Sequence, residues 1–187
     1  MLSHVRQGLI DIYKSSITCN LMNIQRIARL LERGDDDLII RSVILDYAQK
    51  HNQILYGSQS FNLQSPYFLR KKTSDYDLLS TKPKKSAKEV AKILRRRLNK
   101  KIIVKKATHK GTWKVLINDV PKIDYTQKAR KPKTKKNWGI EVRNLKSIKR
   151  NTQRLIKNPK TEFRRKKDLD TLQRLKEIER IEREFKI

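Results

Sequence analysis

Two aspartates separated by one residue stand in the stretch Thr73-Ser74-Asp75-Tyr76-Asp77-Leu78-Leu79. The alternation in this stretch is typical of a β-strand, on which the side chains of residues i and i+2 point to the same face. Asp75 and Asp77 can therefore share metal ions about 3.5–4 Å apart, as the carboxylates of two-metal sites do. The stretch predicts a strand that carries a metal-binding pair of carboxylates.

Two other segments supply groups for the same chemistry. Residues 54–56 are an apolar run that ends at Gly57-Ser58, which predicts a strand followed by a turn. A glycine there lets a phosphate approach the backbone, and the serine hydroxyl can bind a phosphate oxygen. Asp124 stands between Ile123 and Tyr125, as an inward-facing carboxylate of a core strand would. A buried carboxylate calls for a metal or a basic partner.

The surrounding pattern predicts an α/β core. A helix is expected after the aspartate pair, beginning with a capping box at Ser86 and Glu89. Asp119 is a second candidate for the third carboxylate, but the pair Asn118-Asp119 favours a hairpin turn, so we prefer Asp124. Further strands are predicted at residues 101–105, 112–117 and 121–126.

Helical periodicity is expected at both ends of the chain. Residues 1–52 carry apolar side chains mostly three and four positions apart, which predicts helices that pack on a core of residues 53–127. The segment 128–187 is predicted as a basic arm followed by C-terminal helices. The last helix is amphipathic and suits packing on the core, on a partner protein or on a second copy of the chain.

Charge indicates the class of partner. The 187 residues include 47 Lys and Arg against 19 Asp and Glu, a formal net charge of +28. Nucleic acid, and RNA in particular, is the expected polyanion, because each cation at a phosphate releases a condensed counterion. No segment has the apolar length or amphipathic face that a membrane partner would require. The residues expected to contact nucleic acid are Arg130, Lys131, Lys133, Lys135, Lys136, Lys149 and Arg150.

The basic run at residues 128–136 is too charged and too interrupted by proline for a core element, so it predicts a loop or an extended arm. Tryptophans more often pack than bind ligands, and we expect packing of both Trp113 and Trp138. Of the two, Trp138 is the better candidate for stacking on a base, because it lies inside the basic segment.

Cysteine and histidine usage excludes several classes of protein. The single cysteine, Cys19, and three histidines offer neither an intramolecular disulfide nor a Cys/His zinc module. Residues 1–6 lack the basic and apolar pattern of a secretory signal. We therefore expect an intracellular protein in a reducing compartment.

The segments Gly57-Ser58, Asp75-Tyr76-Asp77 and Ile123-Asp124-Tyr125 together resemble the signature of the DNA polymerase β-like nucleotidyltransferase superfamily. Within it, the chain is most similar to virus-encoded poly(A) polymerase-like enzymes. It also resembles the nucleotidyltransferase toxins of bacterial abortive-infection systems, through a basic-x-Thr-x-Asp-x-Asp strand at 71–77 and a basic-Lys-Asp helix at 165–170. The resemblance implies a nucleotidyltransferase core with a mixed sheet flanked by helices. The viral relatives add the virus particle and the virus factory to the expected locations.

The resemblance also implies an activity. The chain would be a template-independent nucleotidyltransferase that adds a nucleoside monophosphate from an NTP to an RNA end or another hydroxyl. Asp75 and Asp77 would hold two Mg²⁺ ions that bridge the triphosphate. Asp124 would complete the metal site for the acceptor hydroxyl and help to deprotonate it. The nucleotide-binding residues would be Gly57, Ser58 and Thr73.

The competing hypothesis is a protein that keeps this fold without catalysis and coats or condenses nucleic acid, for example in a virus particle. A charge of +28 exceeds what a small transferase needs. Such a protein should bind nucleic acid more tightly as salt falls and should ignore Mg²⁺. An enzyme should need both Mg²⁺ and an NTP for any product.

Overall fold

The computed structural model describes residues 35–185 of the chain. The helices expected within residues 1–34, and Cys19, lie outside the described residues. In the described range, the strands are β1 (Ile54–Tyr56), β2 (Tyr76–Ser80), β3 (Ile102–Lys106), β4 (Thr112–Ile117), β5 (Val120–Gln127), β6 (Thr134–Asn137) and β7 (Ile140–Arg143).

Five α-helices accompany these strands between residues 35 and 185, together with short 3-10 helices at Tyr67–Leu69 and Pro159–Arg164. None of the helices in this range has the length and apolar character that crossing a membrane would need. The α-helices are α1 (Asp35–Lys50), α2 (Gly57–Leu63), α3 (Pro83–Arg97), α4 (Leu145–Ile156) and α5 (Arg165–Phe185).

All seven strands belong to one mixed sheet, in the order β3-β4-β5-β2-β1-β7-β6. Strand β1 is antiparallel to β2 and parallel to β7, and β2 is parallel to β5. A mixed sheet flanked by helices confirms the predicted fold class. Strands β6 and β7 come from the segment 128–187, so the basic segment contributes two strands to the sheet.

Each face of the sheet has its own apolar cluster. Helices α1 and α3 pack on one face, where Ile44, Leu78 and Tyr125 belong to one buried core. Helix α2 contacts β1, β2 and β7, and its Phe61 packs with residues of α4 and α5 in a second, smaller cluster.

The hairpin turn between β4 and β5 is confirmed. Asn118 and Asp119 have φ values of 50° and 65°, the left-handed pair that a two-residue hairpin requires. The predicted capping box is wrong, because α3 begins earlier, at Pro83. The Ser86 hydroxyl is buried and accepts a 2.8 Å hydrogen bond from Gln53 Nε2, and Glu89 accepts one from the Tyr47 hydroxyl. Ser86 and Glu89 therefore bond to residues distant in the chain, whereas the sequence spacing predicted that they cap the helix.

The predicted turn at Gly57-Ser58 is also corrected. These residues follow β1 directly, but they form the first turn of helix α2. The basic run at 128–136 likewise ends in a strand, β6, which pairs with β7 at the edge of the sheet. Pairing with β7 satisfies backbone groups of a sequence too charged to be recognised as a strand.

Helix α5 is held mainly by its buried apolar side chains, so their loss should destabilise the fold. Leu175 is 2% exposed, whereas Leu169 on the same helix is 49% exposed. We expect Leu175→Ala to lower the free energy of unfolding by about 2–4 kcal/mol through the cavity that it leaves. The matched control, Leu169→Ala, should change it by less than about 1 kcal/mol. Urea unfolding measures both, and equal losses would contradict this packing.

Candidate active site

A row of polar side chains crosses the sheet on the face opposite α1 and α3. The strand registers pair Tyr56 with Asp77, Asp77 with Asp124, and Asp124 with Lys114. Residues opposite one another on neighbouring strands project from the same face. Asp75 lies one residue before β2 and is exposed. The fold therefore brings together the three aspartates singled out in the sequence, although Asp75 precedes the strand.

Of the three aspartates, Asp77 lies where a negative charge is least favourable. Burial, and after it the negative charges of Asp75 and Asp124, raise the pKa of its carboxyl from 3.8 to about 6, while Lys167 and Lys114 oppose the rise. A desolvated carboxylate with two negatively charged neighbours is stabilised by a positive charge placed beside it. The position therefore suits a cation.

Tyr56, the register partner of Asp77, is an uncharged neighbour of its carboxylate. Burial, followed by the charge of Asp77, raises the pKa of its phenol to about 12. The hydroxyl therefore stays protonated at neutral pH, and it shares a 2.9 Å hydrogen bond with Thr126 Oγ1. Tyr56 adds no charge to the carboxylate row.

Lys114 provides a counter-ion for the third carboxylate. Its Nζ lies 3.0 Å from Asp124 Oδ2, and the two side chains are only 33% and 27% exposed. Asp119, the rival candidate, lies in the hairpin turn and pairs with Lys101 at 3.0 Å. The structure thus places Asp124, and not Asp119, beside Asp77.

Gly57 lies against the carboxylates because it has no side chain. Its φ is +65°, and a Cβ on this residue would lie 1.9 Å from Asp77 Oδ2. A residue with a side chain would be strained here and would displace the Asp77 carboxylate. Gly57 therefore permits the close approach of a backbone turn to the acidic row.

An open cavity of about 480 Å³ adjoins Asp75 and has a basic wall. Lys71, Lys167 and Arg174 line it, and so do two of the predicted nucleotide-binding residues, Ser58 and Thr73. The Thr73 hydroxyl donates a hydrogen bond to Asp75 Oδ1. A larger depression of about 660 Å³ lies elsewhere, at the start of α3, and contains none of the three aspartates. The smaller cavity is therefore the one that combines a carboxylate of the candidate site with a basic wall.

Asp170 joins α5 to the loop before β2. The single N–H of Arg174 Nε is shared between the two carboxylate oxygens of Asp170, at 2.9 and 3.0 Å, and Oδ2 lies 3.3 Å from Lys71 Nζ. Arg174 Nη1 also donates to the Leu69 carbonyl at 3.2 Å. Burial lowers the pKa of Lys71, an effect that the charge of Asp170 opposes. The contacts with Asp170 hold two cations of the wall in place.

The three aspartates offer oxygen donors to a metal ion. Within residues 35–185, no three Asp, Glu, His or Cys side chains lie close enough to form a ligand group. Asp77 nevertheless has the charge environment of a cation site, and carboxylate oxygens are the ligands that Mg²⁺ takes. Asp75, Asp77 and Asp124 therefore fit a metal by their chemistry, and Asp77 and Asp124 are neighbours on the sheet. Lys114 neutralises one of the three.

The residues predicted to contact nucleic acid lie in three places: the loop before β6, strand β6 and helix α4. Lys135 and Lys136 are exposed on β6, while Lys131 donates a 2.7 Å hydrogen bond to Glu141 on β7. Lys149 on α4 binds both oxygens of Glu179 at 2.8 and 2.7 Å, which joins α4 to α5. Arg130, Lys133 and Arg150 are exposed.

Sequence reasoning missed several cations of this site. Lys71 and Lys167 stood out only as parts of a motif, and Lys114 and Arg174 carried no signal because lysine and arginine are abundant throughout the chain. Register pairing with Asp124 could have indicated Lys114 once β4 and β5 were recognised as a hairpin. Trp138 also differs from the expected packing, since its side chain is 62% exposed.

A family model described as Poly(A) polymerase catalytic subunit matches residues 42–155. In fold, the chain is similar to the crystal structure of the Megavirus polyadenylate synthase, with a TM-score of 0.67 and 21% identity, over 88% of this chain and 36% of that one. It is also similar to JHP933 from Helicobacter pylori, with a TM-score of 0.52 and 14% identity, over 74% of this chain and 65% of that one. At these identities the two likenesses show a shared fold.

The chain spans about a third of the Megavirus protein, 36% of its length. No curated protein sequence matches the chain. The family match covers all three aspartates and strands β1 to β7, and it extends into α4.

The raised pKa of Asp77 should make the stability of the metal-free protein depend on pH. The carboxyl titrates near 6 in the folded chain and near 3.8 when unfolded, so ionisation in this window disfavours the folded state. The resulting loss of stability should develop as the pH rises from about 4 to about 6 and should reach up to about 3 kcal/mol.

Asp77→Asn removes that charge, so in EDTA this variant should exceed the unsubstituted protein in stability at about pH 7.5, and by much less at about pH 4.5. Urea unfolding at both pH values measures the difference, with Asp119→Asn as the control for an exposed aspartate. A difference of the same size at both pH values would contradict the assigned pKa.

Proposed function

Since the chain belongs to the family of poly(A) polymerase catalytic subunits, we propose that it is a metal-dependent nucleotidyltransferase that adds a nucleoside monophosphate from an NTP to the hydroxyl at an RNA end, without a template. One observation carries this proposal: Asp77 and Asp124 are register partners on one sheet face, and Asp75 adjoins a cavity with a basic wall. Phosphoryl transfer needs this combination of carboxylates for metal ions and cations for phosphates.

The reaction would exchange a phosphoanhydride linkage of the NTP for a phosphodiester linkage to the acceptor. The acceptor hydroxyl oxygen attacks the α-phosphorus of the NTP and forms a new P–O bond. The bond from that phosphorus to the oxygen bridging the α- and β-phosphates breaks, and pyrophosphate leaves with the bonding electrons. The hydroxyl proton passes to a base. Bound Mg²⁺ would supply positive charge to the phosphates and lower the pKa of the acceptor hydroxyl.

The three aspartates would have different roles in the reaction. Asp75 and Asp77 would hold the metal ions, since Asp77 has the charge environment that calls for a cation. Asp124 would orient the acceptor hydroxyl and receive its proton. Lys114 bonds to Oδ2 of Asp124 at 3.0 Å and would keep that carboxylate in position while substrates exchange.

The basic wall would bind the triphosphate. Lys71 and Arg174 are positioned by Asp170, and their cavity also contains the Ser58 hydroxyl. Within residues 35–185, Lys167 forms no ion pair, so its ammonium is available to phosphate oxygens. A phosphate between these groups would receive charge-assisted hydrogen bonds from several directions.

The proposed activity predicts that the chain transfers label from an NTP to RNA. The purified chain is incubated with Mg²⁺, short RNAs and each labelled NTP in turn, and label should appear on RNA with at least one NTP. Asp75→Asn and Asp77→Asn should each reduce the rate by at least about 100-fold, because metal ions contribute several kcal/mol to the transition state. Asp119→Asn, in the hairpin turn, should retain activity.

Two outcomes would contradict the proposal. Intact transfer in Asp75→Asn and Asp77→Asn would show that these aspartates do not hold the metal ions. Absence of label with every NTP, combined with tight, salt-sensitive and Mg²⁺-independent RNA binding, would favour the alternative of a nucleic-acid-binding protein without catalysis.

The basic wall generates a second kinetic prediction. Lys167→Ala should raise the KM for NTP by about 10-fold or more, because it removes one charge-assisted contact with a phosphate. Lys166→Ala, the adjacent exposed lysine outside the cavity, should leave KM within about twofold. Steady-state kinetics at saturating RNA measure both values. If both substitutions change the KM equally, Lys167 contributes only to the general surface charge and does not contact a phosphate.

A further inference from the structure

The turn between β6 and β7 has an unusual residue at its tip. Trp138 has a φ of +56° and Gly139 a φ of +77°, two successive left-handed residues that join paired strands. Such turns favour Asn or Gly at the first position, since a bulky side chain is strained there. The Trp138 side chain is nevertheless 62% exposed, so burial of the ring does not explain its presence.

The backbone on either side of Trp138 is fixed by the rest of the fold. Asn137 Nδ2 donates a 2.7 Å hydrogen bond to the carbonyl of Leu63 at the end of α2. A Cβ on Gly139 would lie 2.7 Å from Gln49 Nε2, so the turn fits closely against α1. The indole therefore projects from an anchored turn, and little conformational freedom is lost when a ligand binds to it.

Exposed lysines precede this ring in the same hairpin. Lys133, Lys135 and Lys136 are exposed on β6 or just before it, and no described carboxylate between residues 35 and 185 forms an ion pair with them. Glu141, opposite Lys136, is bonded to Lys131 instead. Strand β6 is also an edge of the sheet. An exposed aromatic ring on the same hairpin as unpaired cations suits a polyanion with planar bases better than an apolar protein surface.

We infer that Trp138 is a stacking platform for a base of single-stranded RNA whose phosphates lie along Lys133, Lys135 and Lys136. Nucleic acid bases stack on aromatic side chains while cations contact the backbone, and this combination recognises single strands. The inference rests on the proposed function only for the choice of RNA as the polymer. We call these four residues the hairpin site.

The hairpin site is remote from the carboxylates. Strand β7 runs parallel to β1, and Glu141 is opposite Ile54, so Trp138 lies beyond the end of β1 that is farther from Gly57. The four residues of β7 from Ile140 to Arg143 span about 10 Å, and Trp138 lies beyond their Ile140 end. The platform would therefore hold a base of the acceptor strand away from its reacting end. Its loss should weaken RNA binding without changing the chemical step.

The test begins with Trp138→Gly in the full chain, assayed for binding to a short single-stranded RNA without NTP. Glycine suits the positive φ, so urea unfolding should show no loss of stability. Affinity for RNA should fall about 5- to 100-fold, the range expected for one stacked base. Trp138→Phe should retain more of the affinity. The matched control is Phe163→Ala, an aromatic 88% exposed on another element, which should bind as the unsubstituted protein does.

The salt dependence of RNA binding distinguishes base stacking on Trp138 from contacts between lysines and phosphates. Trp138→Gly should leave the slope of log affinity against log salt unchanged, whereas the double variant Lys135→Ala/Lys136→Ala should reduce it by about 1.4, or about 0.7 for each phosphate that is no longer neutralised. A strand with abasic sites should bind the Trp138→Gly variant and the unsubstituted protein equally. In a Trp113→Phe background Trp138 is the only tryptophan, and its fluorescence should be quenched by the RNA.

Several outcomes would overturn the inference. Equal RNA affinity of Trp138→Gly and the unsubstituted protein would do so while leaving the proposed transferase standing. So would an equal loss with duplex RNA or with the abasic strand, or a protein that binds no single-stranded RNA. Conversely, Trp138-dependent binding by a chain that transfers no label would support the platform and contradict the transferase.

Discussion

Asp77 carries a negative charge in a place where the fold makes that charge unfavourable. Its carboxylate is desolvated and has Asp75 and Asp124 as neighbours, which together bring its pKa to about 6. Much of the surrounding structure follows from this constraint. Gly57 has no side chain where a Cβ would meet Asp77 Oδ2, Tyr56 contributes no charge, and Lys114 balances the next carboxylate in the row.

The second apolar cluster connects that constraint to the C-terminal helix. Leu175 and Ile178 pack α5 against α2 and α4, and the same helix presents Lys167 and Arg174 to the cavity beside Asp75. Asp170 then ties Arg174 to the loop that carries Lys71. Packing energy from apolar residues thus holds positive charges beside an acidic row, which isolated surface ion pairs would do weakly.

The lysines and arginines behind the net charge of +28 have different roles in the structure. Some cations act within the protein, as Lys149 does in bonding Glu179 between α4 and α5. Others line the cavity beside Asp75, and a third group lies exposed on the edge strand β6 and just before it. Edge lysines also discourage pairing with other sheets, so the charge of β6 is compatible with a role in solubility as well as binding.

Much of this architecture was determined by the sequence alone. Asp75, Asp77 and Asp124 were recognisable because short-range patterns report alternation and turns, and the left-handed pair Asn118-Asp119 joins β4 and β5 where it was predicted. Only the tertiary structure decided which cations meet the acids, that the capping residue Ser86 bonds Gln53 instead, and that Trp138 stands exposed on an anchored turn. These facts depend on contacts between residues distant in the chain, and local spacing carries no information about them.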